Sequence, residues 1–423
     1  MFGLSLTLML SLSGISQDPR LEKIIPVWTG RNGYEEYVRA AQLLSAPQVT
    51  ELNRYVRYRE TGKWDEETTK PEAPPGTDPE TLLDVYRIQA KALEPALKLI
   101  RQGNTKPVFY PNPSRTILTL YPELAPLKWM MRDLQRYAYV GFSEGKGAEG
   151  TQAILDTFSF GDRIECGPML HSNVAQSIRD FARASFLNRL GQMSLYDLQK
   201  IRSWADYQAK QPVRMIEGAR QEAREVSASY YYFLNHPEEL AAFGGNKEAL
   251  VQAVSKLTES HKAEVYRLAF QRLEAPWLAI ADRLSKPESQ WLGDIDTSRY
   301  LEGSGTSSPL SPGDGVWGMA ILKAFNALAY SIDPGEVVKE VAKDRVKTRL
   351  LGIYASVGIF RWQQNRLPES LEEVFGKEPT ESLSGSRYTY ERLPDGKFRV
   401  FCQINGLGEV HFEPEEKGDT EAE

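Results

Sequence analysis

The sequence predicts a mostly α protein: an array of antiparallel amphipathic helices, closed at its C-terminal end by a small α+β cap containing a β-hairpin. Apolar residues recur at spacings of three and four along most of the chain, as they do on one face of a helix. Capping residues and prolines interrupt that pattern where helices start and stop. Period-two alternation shows itself near the C-terminus, where Tyr388 and Tyr390, then Phe398, Val400, Cys402 and Ile404, flank Pro394, Asp395 and Gly396 as strands flank a turn.

The N-terminal run from Phe2 to Leu12 is apolar but too short to span a bilayer, and Gly14 and Ser16 follow at cleavage-site spacing. Residues 1–16 therefore read as a signal peptide, without the usual Lys or Arg ahead of the run, and the protein as exported, periplasmic or extracellular. Residues 17–332 read as a helical domain. A helix over 32–44 places Tyr34, Tyr37, Ala41 and Leu44 on one face, and Pro47 is expected to end it. A second spans 49–60, before a loop at 63–79 rich in Pro, Glu and Thr. Over 81–102 the inward face is Leu82, Tyr86, Leu93, Leu97 and Ile100, with a kink expected at Pro95. Five prolines make 106–126 an extended segment.

Helices at 127–141 and 149–160, joined at Gly145 and Gly147, form a pair like one tetratricopeptide unit, without a recurrence at the period of that repeat. Further helices are expected at 169–190, at 194–209 capped by Ser194, at 213–234 closed by Pro237, and over 246–284 with an interruption near Pro276. The stretch 285–315 is the longest irregular one, and 316–331 leads into the last unit.

That unit, 333–412, opens with Asp333, Pro334 and Glu336, a cap, a first-turn proline and a returning carboxylate. Val338, Ala342, Val346, Leu350, Ile353, Val357 and Phe360 then mark one long helix, with Lys339, Lys343, Asp344 and Lys347 off the stripe. Asn365 and Pro368 end it, and Ser370 with Glu373 opens a short helix. Long helix, the run from Asn365 to Val374, and Ser384-Gly385 before a tyrosine-rich hairpin together resemble the C-terminal module of a group of uncharacterised exported bacterial proteins, itself similar to the globular part of type II pseudopilins. Residues 32–44 and 137–198 resemble the same group; the likeness implies architecture and no activity. Where many such modules carry an acidic calcium loop, Asn405, Gly406, Leu407 and Gly408 supply too few oxygen ligands.

The chain has 423 residues, 41% of them hydrophobic, and a formal charge of −6. Most of that charge sits in the tail 413–423, which holds six acids and one lysine, so the remainder is nearly neutral. Nothing here is a basic footprint for nucleic acid, and no later run has the unbroken apolar length of a transmembrane helix after signal cleavage. Cys166 and Cys402 are the two cysteines, and an oxidising compartment permits a disulfide between them.

Catalytic sets are incomplete. His171, His236, His261 and His411 each lack a second His or Cys at zinc-ligand spacing. Ser143 and Lys146 lack the partner motifs of penicillin-binding enzymes, and Gly141, Gly145 and Gly147 lack the residues of a phosphate loop. Asp294 and Asp296 open like a calcium loop, but Arg299 and Gly305 occupy positions that need glycine and a bidentate acid. The candidate catalytic residues are His236 with Glu239, at a helix end beside Tyr230, Tyr231 and Tyr232, and Asp294, near Trp291 and Tyr300 as sugar-stacking rings. No cofactor or metal is expected. The reading is an exported helical scaffold or binding protein for a protein or cell-envelope ligand. Its alternative is a carbohydrate- or peptidoglycan-acting hydrolase with carboxylates near His236 or Asp294.

Overall fold

The computed structural model describes residues 29–64, 68–111, 121–236, 274–295 and 333–412, with isolated positions between 251 and 262. These hold eleven α-helices and one three-stranded antiparallel sheet, the mostly α fold with a small α+β cap. Residues 1–28, including the run read as a signal peptide, the tail 413–423, Glu239 and the whole of 296–332 with Asp296 and Tyr300 lie outside the described residues. Among the described residues, no helix is long and apolar enough to cross a membrane.

Helix α1 (Gly33–Leu44) begins where the Asn32 side chain accepts the Tyr34 N–H. α2 (Pro47–Thr61) follows after two residues, so Pro47 opens a helix instead of closing one: in the first turn its missing N–H would have had no partner anyway. A capping box of Thr81 and Asp84 starts α3 (Leu82–Asn104), which continues through Pro95. Leu82, expected inward, is exposed at the first position of the helix. α1 and α3 touch through glycines, since a Cβ on Gly33 would lie 2.4 Å from the Gly103 carbonyl oxygen.

Next come α4 (Leu124–Ser143) and α5 (Gly147–Ile164), turned at Gly145 with φ +73°, then α6 (Met169–Arg189). Phe158 and Phe160, two residues apart and so on opposite faces of α5, enter different cores. One core is built from α1, α3, α4 and parts of α5 and α6 around Tyr34, Tyr37 and Ile100. The other gathers α7 (Leu195–Gln208), α8 (Met215–Asn235), α9 (Ala275–Leu284) and α10 (Pro334–Gln364) around Phe158, Phe186, Trp277 and Leu350. Pro276, expected to interrupt a helix, lies in the first turn of α9.

At a rise of about 1.5 Å per residue, the 31 residues of α10 extend roughly 46 Å. Residues 350–359 of α10 are buried on every side, between α7 and the cap, whereas the sequence showed only one apolar stripe. The approach is close because Gly352 and Gly358 face Ala205 and Leu198 of α7. Asn365, with φ +52°, ends α10, and α11 (Leu371–Phe375) follows from the Ser370 cap.

Strands β1 (Tyr388–Arg392) and β2 (Phe398–Ile404) form the expected hairpin, and β3 (Gly408–His411) adds a third strand that the sequence did not predict. Tyr354 fixes the sheet on α10: its hydroxyl accepts the Val400 N–H at 2.9 Å, and its ring lies between Phe398 and Phe412. The permitted disulfide does not form. Cys402 is buried in the cap beneath β1, Cys166 packs against the other core, and both are free thiols. Burial pushes them up to about 11 and about 12 respectively, so neither is a reactive thiolate at neutral pH.

Candidate functional site

A cavity of about 680 Å³ opens between the C-terminal end of α5, α6, the α7–α8 junction and the first half of α10. Its floor is ionic. Arg179 and Arg183 stand four residues apart on one face of α6 and are almost fully buried. Asp162 and Glu165, three apart, close the end of α5, and Asp344 meets both arginines from α10.

Arg179 lies 2.9 Å from Glu165, 3.0 Å from Asp344 and 3.6 Å from Asp162. Arg183 lies 2.7 Å from Asp344 and 2.8 Å from Asp180, and donates to the Thr348 hydroxyl at 3.3 Å. Gly161 permits this closeness, since a Cβ there would stand 2.9 Å from the Arg179 side chain. Four carboxylates thus share two guanidiniums, and the three more buried ones, Asp162, Glu165 and Asp344, are divided by their environments. Burial raises Asp162 to about 7 against the pull of Arg179, and raises Glu165 in the same direction. Burial also opposes ionisation of Asp344, but Arg179 and Arg183 outweigh it and hold that carboxyl well below the usual range.

Not every polar atom here is satisfied. Asp162 Oδ2 and Trp204 Nε1 are buried without a hydrogen-bond partner, and both residues line cavity walls. Trp204 stacks one face on Phe158 at 4.5 Å between centroids. Amides of Asn173, Gln176 and Gln208 and the exposed Tyr207 complete the rim. Arg345 pins the α7–α8 junction to α10: it donates to the Gln208 and Gln211 carbonyls, a cation at a helix C-terminus, and pairs with Glu288 at 2.8 Å.

The residues favoured by the sequence do not line this cavity. His236 is the exposed C-terminal cap of α8, its ring tilted on Tyr232 at 4.6 Å. Asp294 is exposed, and its backbone carbonyl accepts from Arg283. Trp291 is only 3% exposed and donates Nε1–H to the Lys286 carbonyl, so it is core and offers no face to a sugar. His171, which the zinc pattern excluded, lies wholly buried among Tyr34, Tyr110 and Tyr121. Its Nε2 is 2.9 Å from the Tyr34 hydroxyl, which donates to Glu123 at 2.6 Å. Among the described residues, no group of three or more His, Cys, Asp or Glu is placed to hold a metal ion.

Asp162, Glu165, Arg179 and Asp344 escaped sequence reasoning, although α6 held a signal. Ser172, Ala175, Arg179, Ala182 and Phe186 fall at helical spacing on one buried stripe, and an arginine in such a stripe must meet carboxylates. The fold and cavity define a mostly helical protein with a cleft of mixed polarity beside a buried ionic cluster. Comparison with protein-family models, with curated proteins and with solved structures gives no match.

Proposed function

We propose that this is an exported binding protein whose helices form a scaffold around one cleft, and that the cleft takes a polar small molecule. The carrying observation is the cavity of about 680 Å³, with Asp162 Oδ2 and the Trp204 indole N–H buried and unpartnered at its walls. That volume falls within the range of small-molecule sites, about 300–1,000 Å³. Buried polar atoms are normally satisfied, so two open ones on one cavity favour a ligand that pairs with both. The apolar run at residues 2–12 supports export, and a long helix laid across a small sheet supports the likeness to pseudopilins.

The hydrolase reading moves from His236 and Asp294 to Asp162 and Asp344. Their acidities are driven apart, the relation that general-acid and base pairs show. Binding is favoured over cleavage because Asp344 is held by two guanidiniums and Glu165 by one, so neither is free to act as the second working carboxyl that glycoside cleavage needs beside Asp162.

Thermal shift and titration calorimetry with glucose, N-acetylglucosamine and alanyl-alanine test the reading. At a hundredfold excess over Kd, a bound probe stabilises the protein by about 2.7 kcal/mol. Gln176→Trp, which fills the cleft from its rim, is expected to abolish the shift. Equal responses of wild type and Gln176→Trp to every probe would overturn the reading, and hydrolysis of a 4-nitrophenyl glycoside that Asp162→Asn abolishes would replace it with the hydrolase.

A further inference from the structure

A second, shallower cavity of about 420 Å³ adjoins the first, and Ser159 and Trp204 line both. Its remaining wall comes largely from α7: Tyr196, Gln199, Lys200 and Ser203. Tyr196, Trp204 and Tyr207 follow at intervals of eight and three residues, which at 3.6 residues per turn puts them within about 80° around the helix. They span roughly 16 Å along its axis.

Tyr196 and Tyr207 are 62% and 61% exposed. Rings that contribute to a core are ordinarily covered, and these two are not. Two of the three rings are braced by protein on one side: Lys200 Nζ sits 4.6 Å from the Tyr196 ring centroid, and Phe158 lies beneath Trp204. Between the rings stand side-chain amides and hydroxyls, Gln199 and Ser203 in one cavity and Gln208 and Asn173 in the other.

We propose that the two cavities are one groove, and that α7 presents it to a linear oligosaccharide whose rings stack on Tyr196, Trp204 and Tyr207 while its terminal unit reaches Asp162. This rests on the binding reading above and names its ligand class. Flat aromatic faces interleaved with amides suit pyranose rings, whose C–H faces stack and whose hydroxyls both donate and accept. About 16 Å of helix accommodates roughly three to four linked rings.

Other polymers fit less well. A nucleic acid or polyphosphate requires an excess of cations, whereas Arg163, Arg179, Arg214, Arg345 and Lys200 across the two cavities are balanced by Asp162, Glu165, Glu336, Glu340 and Asp344. A peptide bound by strand addition needs a sheet edge, and these walls are helical.

Calorimetry on the whole chain with β-1,4-linked glucose and β-1,4-linked N-acetylglucosamine oligomers of one to five units tests the groove. In one series, affinity is expected to rise at least tenfold from the dimer to the tetramer and then level off. Tyr196→Ala, a change at an exposed ring that leaves the fold intact, is expected to erase that gain without changing the affinity for the dimer. Trp204→Ala lowers affinity for both lengths. Affinity independent of length, a full gain retained in Tyr196→Ala, or no binding by any oligomer overturns the proposal. A response to alanyl-alanine lost in Gln176→Trp would still leave the cleft a binding site, so the two readings fail separately.

Discussion

A carboxyl whose acidity is set by burial makes stability depend on pH, and Asp162 is the instructive residue. Its folded value is raised from 3.8 to about 7, chiefly by burial, against Arg179 and with Asp344 and Glu165 adding to the rise. The folded state then keeps a proton that the unfolded chain has released. Stability from this group is therefore full below pH 4, is lost as pH rises to about 7, and is constant above. The displacement corresponds to at most about 4 kcal/mol. Asp162→Asn is expected to raise the melting temperature relative to wild type more at pH 8 than at pH 4. Part of the slope persists, because Asp133, in a separate cluster with Gln89 and Arg136, is raised by burial to about 7 as well. Equal differences at both pH values would show that Asp162 ionises freely. None of this was legible around Asp344, which the sequence placed among solvated lysines. Whether a charge beside an apolar stripe meets water or an arginine depends on the helix packed opposite, here α6, and that partner is 161 residues away.

The start signals of helices were the most legible elements. Asn32, Ser194, Asp333 and Ser370 all cap as their side chains dictate, because a cap is decided within a few residues. Prolines were ambiguous: Pro47 and Pro276 read as breakers, yet both occupy first turns, where the same missing N–H is harmless. Strand β3 has four residues, too few to reveal alternation, and Gly406 and Gly408 with positive φ disguise the turn before it. Packing between elements left a trace in glycine. Gly33→Ala would push a Cβ against the Gly103 carbonyl oxygen, a backbone atom that cannot turn aside. The expected cost is about 1–3 kcal/mol in chemical denaturation. Gly191→Ala is the control: a Cβ there meets nothing within 4 Å, so its midpoint should stay within error of wild type. A neutral Gly33→Ala would mean that α1 and α3 separate more readily than their glycines imply.

Across the whole molecule, α10 serves two purposes: its first half walls the cleft and its second half is enclosed by α7 and the cap. One ionic network joins these parts. Arg349 of α10 reaches Glu288, in the segment after α9, and Glu381, which is fully buried and accepts from the Tyr388 hydroxyl of β1. Arg345, one turn earlier, pairs with the same Glu288 while holding the α7–α8 junction beside the cleft. Arg349→Met keeps the length of the side chain and removes its charge, stranding Glu381 where water cannot reach it. Breaking one side of a buried pair costs about 3–5 kcal/mol, while replacing both sides costs far less. Arg349→Met should therefore lower the urea midpoint sharply, and Arg349→Met with Glu381→Gln should recover part of the loss. Because Arg345 continues to fix the junction, a ligand that binds the wild-type cleft should bind folded Arg349→Met with similar affinity. If the single variant costs under about 1 kcal/mol, the cap is held mainly by the apolar contacts of Tyr354 with Phe398 and Phe412, and the ion pairs set its orientation without stabilising it.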